Sequence, residues 1–215
     1  MRIEAINSDF VANVSHVDLS ETITCEEVGD FERAIAHYAV LVFRDQPLTD
    51  DQHADFARRF GPIDKGLTKG SKGKRRLKNP DVIDLANVDD EGNVLAAENI
   101  RNVSLIANQF WHSDSSFKDP PAKFSILCGI ELPDEGGQTE FADQRAAYDA
   151  LGDKKKARID NMVFEHFACI PAKFWVAVII RRRKSTPCRP CIGLWCTPSP
   201  NPAASRFLSV FILAG

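Results

Sequence analysis

Every aspartate and glutamate of this chain lies before residue 167, and residues 167–215 contain none. Residues 1–166 carry all 30 acidic side chains and 20 of the 27 Lys and Arg, a balance of −10. The remainder carries seven Lys and Arg and no acid, a balance of +7. It also holds four of the six Cys and six of the twelve Pro. A soluble folded surface normally intersperses both signs of charge, so one uniform fold cannot be read across this break. Either residues 167–215 are a basic module of their own, or they were never selected as protein. The fold has to be sought in residues 1–166.

Apolar residues make up 44% of the whole chain and charged residues 27%. That balance fits a soluble globular protein and excludes a disordered one. A formal net charge of −3 gives no general pull toward nucleic acid or an anionic membrane. Met1–Phe10 lacks the apolar core of a secretory signal. The longest apolar run is Phe174–Ile180. It falls far short of a membrane span, which takes roughly 18 residues. Six Cys without a leader read as reduced thiols, so a cytoplasmic location is expected.

Local patterns give an order of elements. Residues 1–6 and Val11–Val17 read as short strands. Thr24 reads as the N-cap of a helix with Val28, Phe31, Ile35 and Ala36 on one face. Tyr38–Phe43 is a continuous apolar, β-branched run and predicts a buried strand. Asp50 or Asp51 is expected to cap a second helix carrying His53, Phe56, Ala57 and Phe60 on one face and ending at Gly61-Pro62. Residues 65–78, with seven Lys or Arg among small residues, read as a loop. Val82–Ala86, Phe124–Ile130 and Thr139–Ala142 are expected as strands, with turns at residues 89–93 and 133–137 and a short helix capped by Asp143. Many short strands behind early helices suggest a sandwich or barrel.

One triplet carries chemistry. His112-Ser-Asp114 puts an imidazole and a carboxylate two residues apart, on one side of an extended segment, where both could meet one ion. A His and a carboxylate with a distant second His form the facial triad of non-haem Fe(II) oxygenases, which leaves coordination positions open. A hydrogen-bonded His–Asp pair without metal is the plainer alternative.

The surrounding residues give the triplet a context. Asn108-Gln-Phe-Trp-His-Ser-Asp-Ser-Ser-Phe117, Pro121–Ser125, Gly136-Gly-Gln-Thr-Glu-Phe-Ala-Asp143, Leu41–Leu48, Phe56–Pro62 and Asp143–Leu151 together resemble the TauD/TfdA family of Fe(II)- and 2-oxoglutarate-dependent dioxygenases. They are most like its branch that includes 2,4-dichlorophenoxyacetate (2,4-D) dioxygenase. The likeness runs over about residues 10–166. It implies a mainly β fold with flanking helices, a distorted double-stranded β-helix (a jelly roll of the clavaminate synthase type). It implies His112 and Asp114 as two of three iron ligands, and Thr139 as a hydrogen-bond donor to the 2-oxoglutarate carboxylate. Asn108 and Trp111 match positions lining the pocket, and Lys69 matches a lysine near the substrate mouth. The implied cofactors are Fe(II), 2-oxoglutarate as co-substrate and O₂. The implied partner is a small anionic organic molecule, with no nucleic acid and no membrane, and a homo-oligomer is compatible with the pattern.

The likeness stops after Phe164-Glu-His166. The family's second metal histidine and its 2-oxoglutarate-binding arginine match no in-frame residue here, and His166 comes too early in the pattern. Shifting the reading frame restores order. Joining the last base of each codon to the first two of the next lets residues 169–175 encode a YSRxxLG-like segment. Residues 194–206 can likewise encode a segment close to LVRTHPxxGRKSL, with Trp195-Cys196 forcing the valine, and residues 211–213 can encode HAG. All three resemble later family segments, in the right order. Residues 1–166 are therefore expected to be the N-terminal part of a dioxygenase domain, and 167–215 an out-of-frame tail. Such a chain has an incomplete jelly roll with open sheet edges, and no activity of its own is expected.

Rival readings remain open. A taurine or alkylsulfonate dioxygenase shares the same iron motif, and a β-barrel binding protein could use the same pocket without redox chemistry. Cys188, Cys191 and Cys196 could suggest a zinc knuckle but lack a fourth ligand at standard spacing. Arg181–Lys184 could suggest a basic patch for nucleic acid, and equally a by-product of the altered frame.

Overall fold

The computed structural model describes residues 1–7, 10–64, 76–99, 101–102, 105, 111–115, 121–160, 162–165, 179–182, 192–193 and 209–214. They form two compact units. The first comprises Met1–His112, Ile126–Glu131 and Val210–Gly215, and the second Ser113–Ser125 and Leu132–Ser209.

The first unit is built on a sheet. β1 (Arg2–Asn7) pairs antiparallel with β2 (Val11–Ser15), which runs parallel to β3 (Val40–Arg44). β8 (Ser209–Ala214) lies between β3 and β4 (Phe124–Cys128), giving the order β1-β2-β3-β8-β4. An out-of-frame tail is expected to leave sheet edges open. Within the sheet β3 has a partner on both sides, because residues 209–214 supply an uncharged extended segment that pairs with it in unbroken register, and β1 and β4 are the outer strands.

Two helices pack beside this sheet. α1 (Cys25–Tyr38) starts at Thr24. The Thr24 side chain accepts from the Glu27 backbone N–H while the Glu27 carboxylate accepts from the Thr24 N–H, a reciprocal capping box. Hydrogen bonds donated by the Thr24 N–H and by its hydroxyl hold the Glu27 carboxyl below its usual range. The face expected to be buried is rotated slightly: Phe31 and Ile35 are buried as read, but Ala34 rather than Ala36 joins them. Tyr38 belongs to α1 and not to the following strand. Ala39 turns the chain in one step at φ 62° while its N–H donates to Ile35 O at 2.8 Å, so the strand begins only at Val40.

α2 (Asp50–Arg58) corrects another expectation. Its cap is Thr49, in a reciprocal box with Gln52. Asp50 and Asp51 occupy the first turn, where their charge favours the helix N-terminus. Phe31, Phe43, Phe56 and Phe60 then meet edge to face, with centroids 5.2–6.3 Å apart in five pairs, an arrangement aromatic rings prefer. Fully burying each such ring contributes roughly 1.5–3 kcal/mol. This aromatic cluster joins helices and sheet.

Polar groups brace the edges of the unit. Gln46 accepts from the Leu19 N–H at 2.9 Å and donates to Val17 O at 3.1 Å, tying the loop after β3 to the loop after β2. Buried Asn79 donates to Asp51 Oδ1 at 2.7 Å, and Arg58 pairs with Asp81 at 2.6 Å, so α2 holds the segment entering residue 82. Val82–Ala86 is not a strand. That stretch follows this anchored turn without a ladder partner among the described residues, and pairing resumes only as the Val88–Val94 bridge around the Asp89–Asn93 turn.

The second unit holds α3 (Gln144–Asp149), α4 (Asp153–Ile159) and a small sheet. Asp143 caps α3 as expected, accepting from Arg145. Burial alone would raise the Asp143 carboxyl, but hydrogen bonds from the Arg145 side chain and backbone bring it below its usual range. β5 (Met162–Glu165) is the central strand of the small sheet, antiparallel to β6 (Ile179–Arg182) and β7 (Ile192–Gly193).

Candidate metal and co-substrate site

The chain passes from the first unit to the second within the triplet. His112 is the last residue of the first unit's opening segment, and Asp114 lies in the second unit. Both side chains are exposed. Side chains alternate only along an extended segment. In fact Asp114 and Ser115 already form a turn, with Ser115 buried at φ 53°, so the strand rule that puts residues two apart on one side does not apply at this step.

Asp114 is fixed by a residue to which sequence reasoning gave no role. Ser125 Oγ, on β4, donates to Asp114 Oδ2 at 2.9 Å. A single carboxylate oxygen held this way still has lone pairs to offer an ion, and such outer partners orient metal ligands. The contact spans eleven residues, and no period or motif would have pointed to it.

The other expected residues fare differently. Trp111 is described and 68% exposed. Thr139 is exposed, in a stretch without ladder pairing among the described residues, so the expected strand Thr139–Ala142 is absent from it. The Gly136-Gly137 turn before it is real: φ is 78° and 68°, and a Cβ on Gly137 would stand 3.1 Å from Pro133 Cγ. Asn108, Lys69 and His166 lie outside the described residues.

An imidazole and a carboxylate suit Fe(II) in type. Among the described residues, however, no three His, Cys, Asp or Glu side chains are gathered into a group that could hold a metal. The described residues do not complete a metal centre.

Among the described residues, a histidine outside the triplet is partly buried. His53, on α2, is half-buried, and this burial pushes its pKa down; a hydrogen bond to the Ile126 backbone and the Asp50 charge pull the other way. Cys128, two residues along β4 from Ile126, is pushed up by burial and by Asp50.

A sequence profile of the family described as "Taurine catabolism dioxygenase TauD, TfdA family" matches residues 2–166. The chain belongs to the TauD/TfdA family. Among its TauD/TfdA relatives is the alpha-ketoglutarate-dependent 2,4-dichlorophenoxyacetate dioxygenase of Cupriavidus pinatubonensis, 42% identical over 159 residues, covering 74% of this chain and 55% of that protein. The (S)-phenoxypropionate/alpha-ketoglutarate-dioxygenase of Sphingobium herbicidovorans is 33% identical over 168 residues, covering 76% and 52%. Thus the chain spans about half the length of these relatives. In structure it is similar to AAD-2 in its complex with Mn(II) and N-oxalylglycine: TM-score 0.64, 38% identity, 77% of this chain and 56% of the other. A taurine dioxygenase from Burkholderia xenovorans shares the fold at TM-score 0.55 and 21% identity, covering 84% and 57%. Among the described residues, no helix is long and apolar enough to cross a membrane.

Proposed function

We propose that residues 1–166 derive from an Fe(II)- and 2-oxoglutarate-dependent dioxygenase that hydroxylates a small aryloxyalkanoate such as 2,4-D, and that residues 167–215 are encoded out of frame. The observation that carries this reading is a coincidence of boundaries. The family match ends at residue 166, and the last acidic residue of the chain is Glu165. The relatives that act on phenoxyacetate and phenoxypropionate support the substrate class. The cluster of Lys and Arg in residues 65–78, Lys69 among them, offers positive charge to an anionic substrate.

In this reading His112 and Asp114 supply two iron ligands, with Ser125 orienting Asp114, and Thr139 binds 2-oxoglutarate. Asn108, Trp111 and Lys69 border the substrate. Bound Fe(II) and 2-oxoglutarate would activate O₂ for attack on a C–H bond. The complete domain is a distorted jelly roll acting in the cytoplasm. The 215-residue chain, which supplies no assigned third ligand or co-substrate arginine, turns over no 2-oxoglutarate by itself.

Nucleotide sequencing past codon 166, followed by expression of the in-frame protein, tests both halves. Succinate release is expected with aryloxyacetates, and it should vanish in His112→Ala. In Thr139→Ala the 2-oxoglutarate requirement should rise, since a hydrogen bond to a charged group contributes about 1.5–3 kcal/mol. Release with taurine or other sulfonates alone would overturn the substrate class. A gene without the alternative frame would overturn the account of the tail.

A further inference from the structure

β3 is deeply buried, with Val40, Leu41 and Phe43 at most 3% exposed. A strand apolar on both faces needs a backbone partner on each edge, since unpaired N–H and C=O groups at such an edge are costly and recruit other strands. β2 covers one edge in parallel register, from Val11↔Val40 to Val14↔Phe43. β8 covers the other, also parallel and without a shift, from Val40↔Val210 to Arg44↔Ala214. A parallel partner cannot come from a short hairpin and must arrive from a distant part of the chain. The segment that arrives, Ser209-Val-Phe-Ile-Leu-Ala214, has no charge, proline or glycine and is rich in β-forming residues.

We propose that the edge of β3 opposite β2 is an acceptor groove for one extended, uncharged apolar strand, and that residues 209–214 of a second copy of this chain can fill it. In one copy the groove is occupied in cis by β8. Ladder bonds are made by backbone groups that every copy shares, so the pairing in trans repeats the pairing in cis. What favours the cis strand is its tether, equivalent to roughly millimolar peptide. Exchange of this strand between copies is therefore a route to dimers and larger assemblies. It depends on the register of β3 and β8 alone, whatever the catalysis of the family domain and however the tail arose.

The probe is a fluorescent peptide of residues 208–215 with added lysines for solubility, titrated against the unaltered chain and against Ile212→Pro. A proline in a strand paired on both edges removes a ladder bond whichever way its N–H faces. The variant should bind the peptide at least ten times more tightly than the unaltered chain. Equal binding, or none, by a variant with unchanged circular dichroism would overturn the proposal. If the variant precipitates, the unaltered chain decides the matter by deuterium exchange. Millimolar peptide should raise uptake in residues 209–214, the displaced strand, and leave residues 40–44 protected. Unchanged uptake in residues 209–214 would overturn the proposal.

Discussion

Ser125 Oγ donates a 2.9 Å hydrogen bond to Asp114 Oδ2, so a strand residue fixes the carboxylate proposed above as an iron ligand. The bond engages one oxygen of that carboxylate. It also explains how an exposed turn residue can keep a defined orientation.

Ser125→Ala should leave the fold intact, because the pair is exposed. Its effect belongs to the metal. In the in-frame protein, Mn(II) affinity should fall about tenfold or more, as losses of such orienting partners do. Isothermal titration of the two proteins measures this, and equal affinities would remove Ser125 from the site.

Phe31→Ala should be the most damaging single truncation in the first unit. The ring is 0% exposed and meets Phe43, Phe56 and Phe60 at 5.5, 6.0 and 6.3 Å. A loss of about 3–5 kcal/mol is expected, read as a lower urea midpoint. A loss below about 1 kcal/mol, well under the usual cost of such a truncation, would show that the four rings do not form the core.

Thr49→Ala removes the acceptor for the Gln52 N–H at the start of α2. The cost should be about 1 kcal/mol. Thr49→Asp should recover most of it, since Asp caps equally well and suits the positive end of the helix. Thermal melts of the three proteins give the order.

Burial lowers the pKa of His53 from 6.5. The unfolded chain therefore takes up a proton at this site at a higher pH than the folded chain does. The stabilising contribution of neutral His53 is complete above 6.5 and is lost as pH falls from there through the folded value. Urea midpoints should drop between about pH 7.5 and 5.5, and the drop should be smaller in His53→Gln. Parallel pH profiles would place the titration elsewhere.

Gly137→Ala should destabilise the turn before Thr139. The Gly137 φ of 68° lies in the left-handed region, and an added Cβ would stand 3.1 Å from Pro133 Cγ. Any side chain is strained at such a φ. A cost of about 1–2 kcal/mol follows. In the in-frame protein the same change should raise the 2-oxoglutarate requirement by displacing Thr139.

By itself the sequence determined several of the local elements and the family. Thr24, Phe31 and Val40–Phe43 announce a helix cap, a buried helix face and a core strand because capping and periodicity act within a few residues. The WHSDSSF run carries the family likeness in the same way, since that likeness rests on residue identity. Only tertiary structure decided the rest. Thr49 displaces Asp50 as cap, and Ala39 keeps Tyr38 in the helix, through backbone angles that several residue types can adopt. Ser125 meets Asp114, and residues 209–214 pair with β3, across separations where no local pattern operates. Apolar strands will take any backbone partner that reaches them, so which segment fills an edge depends on what the rest of the fold brings close.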